Sequence, residues 1–355
     1  MNQIIILGGG YGGQRIAEKL LAADLPDNVL ITLVDRMPFH GLKTEYYALA
    51  AGTEPENLIR VPYPNDPRLH VKHGEVVRVD LDEQAIHFDN GDVLSYTWMV
   101  IGLGCEDRYH GIPGADVYTH SIQTLHATRL AYAAINNVRP FGQISVVGGG
   151  LSGVELASEL RESRPDLNIR LFDRGPSILS PFPKKLQHYA SQWFIQHDVE
   201  LVSNACITRV EKEVIYNNDT PVENDAIVWT AGIQANRIVR ELPVEQDGMG
   251  RVVVNDYYQI PGHTNVYVVG DCVSLPFAPS AQLAEVQGEQ VAMLLSCDTH
   301  GIEYPAKLPP IKLKGMLGSL GKKEGFFAMG KMSLVGQMPR IMKSGVLWMY
   351  KKHLG

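Results

Sequence analysis

Two stretches of this chain share one grammar: IIILGGGYGGQRI at 4–16 and ISVVGGGLSGVEL at 144–156. Each runs from an apolar strand through a glycine cluster into a helix. That corner belongs to parallel βαβ architecture, so two copies commit the chain to an α/β fold. In the first copy Gly8, Gly10 and Gly13 stand in GxGxxG register, and Asp35 follows Gly13 by 22 residues at the end of strand 29–35. In the second, Gly148, Gly150 and Gly153 repeat the register, with Asp173 twenty residues beyond Gly153. The first glycine permits a tight turn, the second lets backbone approach a diphosphate, and the third lets helix and strand pack closely, with the helix N-terminus facing the anion. A carboxylate ending the next strand can accept both ribose hydroxyls of an adenosine. A lone GxGxxG is weak, because such turns also occur for packing. Here each copy keeps its strand, its helix and its distal acid.

Gly8 and Gly148 are 140 residues apart, and Asp35 and Asp173 are 138 apart. The chain therefore carries two diverged copies of one nucleotide-binding plan, not a short solenoid repeat. Two such sites bind two dinucleotides. A nicotinamide and a flavin make the chemically sensible pair, because a flavin can pass on a hydride's electrons singly or together.

The remaining pattern places these units in an α/β fold of two Rossmann-like domains, the second inserted in the first, plus a short C-terminal segment. The expected bounds are 1–110 with 245–306 for the first domain, 111–244 for the second, and 307–355 for the segment. The spacing predicts strand 3–8, a helix from Gly12 to Ala22, and extended segments at 75–80 and 84–89 with a turn at Asn90-Gly91. WMVIGLG (98–104) and DAIVWTAG (225–232) are strands ending on glycine, at Gly104 and Gly232. NVYVVGDC (265–272) delivers Gly270 and Asp271 ahead of a helix over 280–295.

At 355 residues the chain fits two domains, and no run of about 18 apolar residues marks a membrane span. The sequence enters a strand by Ile4 with no charged leader, which reads as unprocessed and cytoplasmic. The four cysteines, Cys105, Cys206, Cys272 and Cys297, form no CxxC pair and no metal-ligand spacing, so no metal site is expected. Net charge is −7, but residues 307–355 hold ten Lys or Arg against one acid, Glu324, which is +9 and leaves −16 for the rest. An acidic body with a basic tail results.

With these signatures in place, the chain resembles the two-dinucleotide-binding flavoprotein superfamily and, within it, the type II NADH dehydrogenases, single-chain NADH:quinone oxidoreductases. The carriers span nearly the whole sequence: IIILGGGYGGQRIAEKL, ITLVDRMPFH, ISVVGGGLSGVELASEL, AIVWTAGIQAN, VYVVGDC and AQLAEVQGEQVA. The resemblance implies FAD at the first loop with Asp35 on its adenosine ribose, and Asp271 on its ribityl or pyrophosphate portion. Arg36, Gly104, Gly232 and Gly270 count with the cofactor-binding residues. NADH falls to the second loop, where Asp173 repels a 2′-phosphate and the adjacent Arg174 softens that preference. Glu155 is placed at the nicotinamide face, although an acid in a first helical turn also complements the helix dipole. The family's AQxAxQQG helix lines the quinone site; here it reads AQLAEVQG, so Gln282 and Gln287 match, Val286 replaces a glutamine and Glu285 adds a charge. Lys43 is a candidate cation beside the flavin ring, against the alternative of a solvated lysine. Cys105 and Cys272 read as packing residues, and the cysteine set of sulfide:quinone or disulfide reductases is not evident.

The end of the chain reads MPRIMKSGVLWMYKKHLG. At helical spacing Met338, Ile341, Met342, Gly345, Trp348 and Met349 share one face, and Arg340, Lys343, Ser344 and Lys351 the other. Such a helix either lies on an anionic membrane surface or packs on the chain's own acidic body. The family usually continues through a longer membrane-anchoring region than this chain has.

The expected activity is hydride transfer from NADH to flavin N5, with reoxidation by a quinone at the inner face of the cell membrane. Two readings stand beside it: a soluble reductase of the same fold with another acceptor, and an FAD- and NADH-binding sensor of negligible turnover. A homodimer is left open. Nucleic acid is not expected as a partner, because the basic stretch belongs to no nucleic-acid module.

Overall fold

The computed structural model describes residues 2–354. The first crossover is β1 (Asn2–Leu7), α1 (Tyr11–Ala22) and β2 (Val29–Asp35), followed by β3 (Leu69–His73) and β4 (Trp98–Ile101). The apolar run Ile4–Leu7 is fully buried, as a strand covered on both faces of a parallel sheet requires. The second unit repeats the plan with β5 (Gln143–Val147), α2 (Leu151–Ser163), β6 (Asn168–Phe172), β7 (Val199–Val202) and β8 (Ala226–Trp229). The chain then returns to the first unit through β9 (His263–Val268) and α3 (Ala281–His300).

In the first sheet the order is Gln259–Ile260, β9, β4, β1, β2, β3, with only the outermost pairing antiparallel. In the second it is His120–Ser121, β8, β5, β6, β7, all parallel. Both sheets set the glycine-loop strand between the strand that follows it and one that returns later. In open parallel sheets the ligand crevice lies at the carboxyl ends of the strands where the order reverses. The fold is thus the α/β class expected, with two Rossmann-like sheets.

Close backbone approaches fix these corners. A β-carbon on Gly13 would lie 1.9 Å from the Gly8 carbonyl oxygen, and one on Gly153 equally 1.9 Å from that of Gly148. α3 crosses α1 where a β-carbon on Gly288 would lie 2.7 Å from the Gly12 carbonyl.

The segment after α3 holds more structure than its sequence announces. An antiparallel meander, β10 (Met316–Leu320), β11 (Glu324–Met329) and β12 (Met332–Gly336), precedes α4 (Gln337–Leu354). Phe326 of β11 packs edge-on to Phe182 at 5.5 Å, so this unit shares a core with the second sheet's helices. The helix Tyr46–Ala50 enters the same core from the first unit.

Gly153→Ala should lower the free energy of unfolding by about 2 kcal/mol, the usual cost of forcing an atom into closed packing. Gly150→Ala, whose β-carbon meets nothing within 4 Å, should cost about 1 kcal/mol or less. Urea unfolding followed by tryptophan fluorescence compares the two.

Candidate functional site

At the first loop β1 ends on Gly8, whose φ of +98° and 2.3 Å approach of its β-carbon position to the Gly102 carbonyl admit only glycine. Gly10 caps α1 with no side-chain hydrogen bond, and a β-carbon there would meet nothing within 4 Å. The second loop has the same geometry: Gly148 at φ +117° and Gly150 as an open cap of α2 without a side-chain bond. Two helix N-termini are thereby left without a side-chain cap and with open space beside the capping glycine, the arrangement that takes a diphosphate.

Each distal acid ties its loop in place. The Gly9 N–H donates to Asp35 Oδ2 at 2.7 Å and the Met37 N–H to Oδ1 at 2.8 Å. The Gly149 N–H donates to Asp173 Oδ2 at 2.9 Å and the Gly175 N–H to Oδ1 at 2.6 Å. Burial lifts the Asp35 carboxyl above the usual carboxylate range, against the N–H groups of Met37 and Gly9. Arg36 is exposed, and its guanidinium pairs with Glu75 at 3.8 Å.

At the carboxyl ends of β4 and β9 three predicted residues converge. Gly104 and Gly270 both turn at φ +73°, and Asp271 follows Gly270. Cys105 donates its thiol to Asp271 Oδ2 at 3.0 Å, and the Lys43 ammonium donates to Cys105 Sγ at 3.0 Å. Lys43 is thus not the freely solvated lysine of the alternative reading. Burial works to lower its pKa, yet Cys105 and Asp271 hold it above the ordinary value. Burial also pushes the Cys105 thiol up to about 12 and raises that of Cys272. Neither is a thiolate at neutral pH, and all four cysteines are free. Gly232, at φ +118°, holds the mouth of the second sheet, where its carbonyl accepts from the Arg108 N–H at 3.0 Å.

Glu155 lies in the second turn of α2, past the first turn where the dipole reading set it, and its carboxylate is buried in a seam with the C-terminal unit. Oε1 accepts from the Ser319 N–H at 2.9 Å and from Lys343 Nζ at 2.5 Å. Lys343 also donates to Tyr47 Oη at 2.6 Å and Ser319 Oγ at 3.0 Å, lies 4.5 Å from the Tyr47 ring centroid, and is 3.7 Å from Glu45 Oε1. Of the two sequence readings of this helix, Lys343 follows the packing on the chain's own acidic body: the lysine is 7% exposed. The acids it meets lie far off in sequence, out of reach of a local pattern. Burial pushes the Glu45 carboxyl up to about 7 despite the ammonium beside it. For Lys343, burial works downward, but Glu155, Tyr47 and Glu45 together hold its pKa above the ordinary value.

The two motif glutamines of α3, Gln282 and Gln287, are both engaged. Gln287 is fully buried and its Oε1 accepts from the Gly270 N–H at 2.6 Å, so it holds the turn that presents Asp271. Its Nε2 has no hydrogen-bond partner among the described residues. Gln282 Oε1 accepts from the Lys314 N–H at 2.5 Å. Val286 is half-buried between them, and Glu285 pairs with Arg15 at 3.6 Å. Among the described residues no cluster of His, Cys, Asp or Glu is placed to hold a metal ion.

Residues 2–290 match the family described as pyridine nucleotide-disulphide oxidoreductase. The chain is 52% identical over 355 residues, the full length of both, to the NADH dehydrogenase-like protein YutJ of Bacillus subtilis (strain 168). It is 25% identical over 381 residues to the type II NADH:quinone oxidoreductase NdhA of Mycobacterium tuberculosis, covering 94% of this chain and 80% of that protein. The structure of NDH2 from Plasmodium falciparum in complex with NADH superposes with a TM-score of 0.83 at 15% identity, covering 100% of this chain and 95% of that one.

Lys343→Met leaves two buried carboxylates without their cation and should cost about 3–5 kcal/mol of stability. Lys352→Met, at an exposed position, should change it by less than about 0.5 kcal/mol. Urea titration of the two variants checks this.

Proposed function

The chain belongs to the pyridine nucleotide-disulphide oxidoreductase family and is an NADH dehydrogenase-like flavoprotein oxidoreductase; from that premise we propose that it oxidises NADH and hands the electrons to a quinone at a membrane surface. The observation that carries this reading is the pair of matched glycine loops, each with an uncapped helix N-terminus and a tethered acid. We assign FAD to the first loop, with Gly8, Gly10, Gly13 and Asp35, and NADH to the second, with Gly148, Gly150, Gly153 and Asp173. The residues fit both groups: open space stands over Gly10 and Gly150, and the acids keep lone pairs for ribose hydroxyls. FAD, when bound, supplies a two-electron carrier between NADH and the acceptor.

The chain's own groups orient and charge the site. Asp271, braced through Gln287 and the Gly270 N–H, faces the first cofactor's crevice beside Cys105. Lys43 supplies a cation at the same mouth, where it favours a reduced, negatively charged ring. Glu45, its carboxyl raised to about 7, exchanges a proton around neutral pH beside the Glu155–Lys343 pair. The protonated thiols of Cys105 and Cys272 favour an acceptor other than a disulfide.

One observation favours a second reading, a soluble acceptor: the side-chain oxygens of both motif glutamines, Gln282 and Gln287, accept from backbone N–H groups. The free Nε2 of Gln287 supports the quinone, since it remains a donor for a carbonyl.

The membrane part of the proposal rests on the outer side of the C-terminal unit. α4 turns Met338, Ile341, Met342, Val346 and Trp348 outward, and Met316, Met329, Met332 and Leu334 of the meander are exposed as well. Exposed Lys312, Lys314, Lys323, Lys331 and Lys352 belong to the same unit. A patch of this kind suits an anionic lipid surface. Among the described residues no helix is long and apolar enough to cross a membrane. We therefore place the protein on the inner face of the cell membrane, attached peripherally.

Anaerobic stopped-flow mixing with NADH should bleach the flavin band rapidly, and a soluble quinone should restore it rapidly. Bleaching without recovery would discard the quinone, and slow bleaching of FAD-loaded protein would mark a sensor. In a separate test, the protein should cosediment with anionic liposomes at low salt. Ile341→Ser with Trp348→Ser should weaken that partitioning roughly tenfold or more, given the apolar area each contributes. Full-length protein remaining in the supernatant at low salt would end the membrane reading.

A further inference from the structure

The two glycine loops differ in one respect. Each carries a residue between its first two glycines whose N–H is held by the distal acid, Gly9 by Asp35 and Gly149 by Asp173. The carbonyl of that residue must be held as well if the loop is to keep one shape. In the second loop the Gly149 carbonyl accepts a backbone N–H from Leu179 of the same unit at 2.7 Å. In the first loop no backbone donor among the described residues does this. The Gly9 carbonyl is 3.0 Å from His40 Nδ1, and His40 Nε2 is 3.2 Å from the hydroxyl of Tyr350 in the last turns of α4.

The chemistry of this chain is directional. A carbonyl can only accept, so Nδ1 must carry the proton that reaches Gly9. His40 is buried, at 1% exposure, and burial lowers its pKa to about 4, so the ring is neutral and Nε2 is an acceptor. The Tyr350 hydroxyl then donates to Nε2 and selects the tautomer that grips Gly9. Tyr11 packs edge-on to His40 at 4.7 Å and lies 5.4 Å from the Tyr350 ring, which holds the three rings together. On its remaining side Gly9 is closed by Tyr63, whose hydroxyl would lie 2.1 Å from a β-carbon.

We propose that Tyr350 is a positioning residue for the first dinucleotide: through His40 and the Gly9 carbonyl, the C-terminal helix sets the shape of the loop that takes the FAD diphosphate. This rests on the assignment of FAD to the first loop. Tyr350 touches no reacting atom, and its effect is on the grip of one cofactor and not the other.

The test titrates full-length, deflavinated protein with FAD by flavin fluorescence, and measures NADH affinity in parallel. Tyr350→Phe keeps the ring and removes the hydroxyl. It should raise the FAD dissociation constant roughly five- to tenfold, the scale of one lost hydrogen bond, and leave NADH affinity unchanged. His40→Gln should weaken FAD binding at least as much, and in that background Tyr350→Phe should add nothing. An unchanged FAD dissociation constant in Tyr350→Phe overturns the proposal, and so do equal losses of FAD and NADH affinity or additive effects of the two substitutions. If the wild-type protein fails to take up FAD, it is the assignment of the first loop that falls. Should His40→Gln fail to fold, the FAD-against-NADH comparison in Tyr350→Phe still decides.

Discussion

One buried ammonium sets the geometry of the seam where the parts of this protein meet. Removing a lysine from water costs several kcal/mol, and only converging partners offset it. Lys343 finds them on three separate pieces of chain: Glu155 on α2, Glu45 and Tyr47 from the first unit, and Ser319 on β10. A single point charge thus fixes the mutual position of both nucleotide-binding units and the C-terminal meander. It also decides which way α4 faces. An amphipathic helix on a globular body ordinarily buries its apolar stripe. Here the cation goes inward and Met338, Ile341 and Trp348 stay at the surface.

The two nucleotide-binding loops show what a shared plan leaves free. The glycine positions, the open helix caps and the tethering acids coincide, because each follows from backbone geometry that any such corner must satisfy. The restraint on the intervening carbonyl does not coincide. One copy solves it locally with the Leu179 N–H, and the other passes it to a histidine and a distant helix. The first site is therefore completed only by residues near the end of the chain.

What could be read in the sequence divides along the same line. β1, α1, β2 and their counterparts were legible because glycine spacing, strand apolarity and the acid at the strand end are local consequences of one corner. Lys43, Cys105 and Asp271 were legible singly, from where their strands and turns end. Their convergence was not, since it depends on how β4 and β9 pair. The periodicity of α4 defines two faces but carries no information on which is inner. That was decided by partners 188 and 296 residues away. His40 ends the recognised stretch ITLVDRMPFH, but nothing in that stretch points to Gly9 or Tyr350, and the meander 316–336 is too rich in glycine and lysine to show alternation. Gln282 and Gln287 matched a motif by position, but their bonds to Lys314 and Gly270 reveal bracing work that the motif does not encode.

The return of the chain to its first sheet has a consequence for synthesis. All strands of the second sheet lie between residues 120 and 229, whereas the first sheet lacks β9 until residue 268 has been made. The second unit can close while the first still waits, with the side of β4 that will pair with β9 unpaired. At ribosomal speeds of about 5–20 residues per second that wait lasts roughly 10–30 s. During it the apolar strand WMVI is an open edge, the kind that recruits other strands. The order of assembly is written into the topology: the inserted unit first, its host second, and the helix bearing Lys343 and Tyr350 last, as the piece that fastens both.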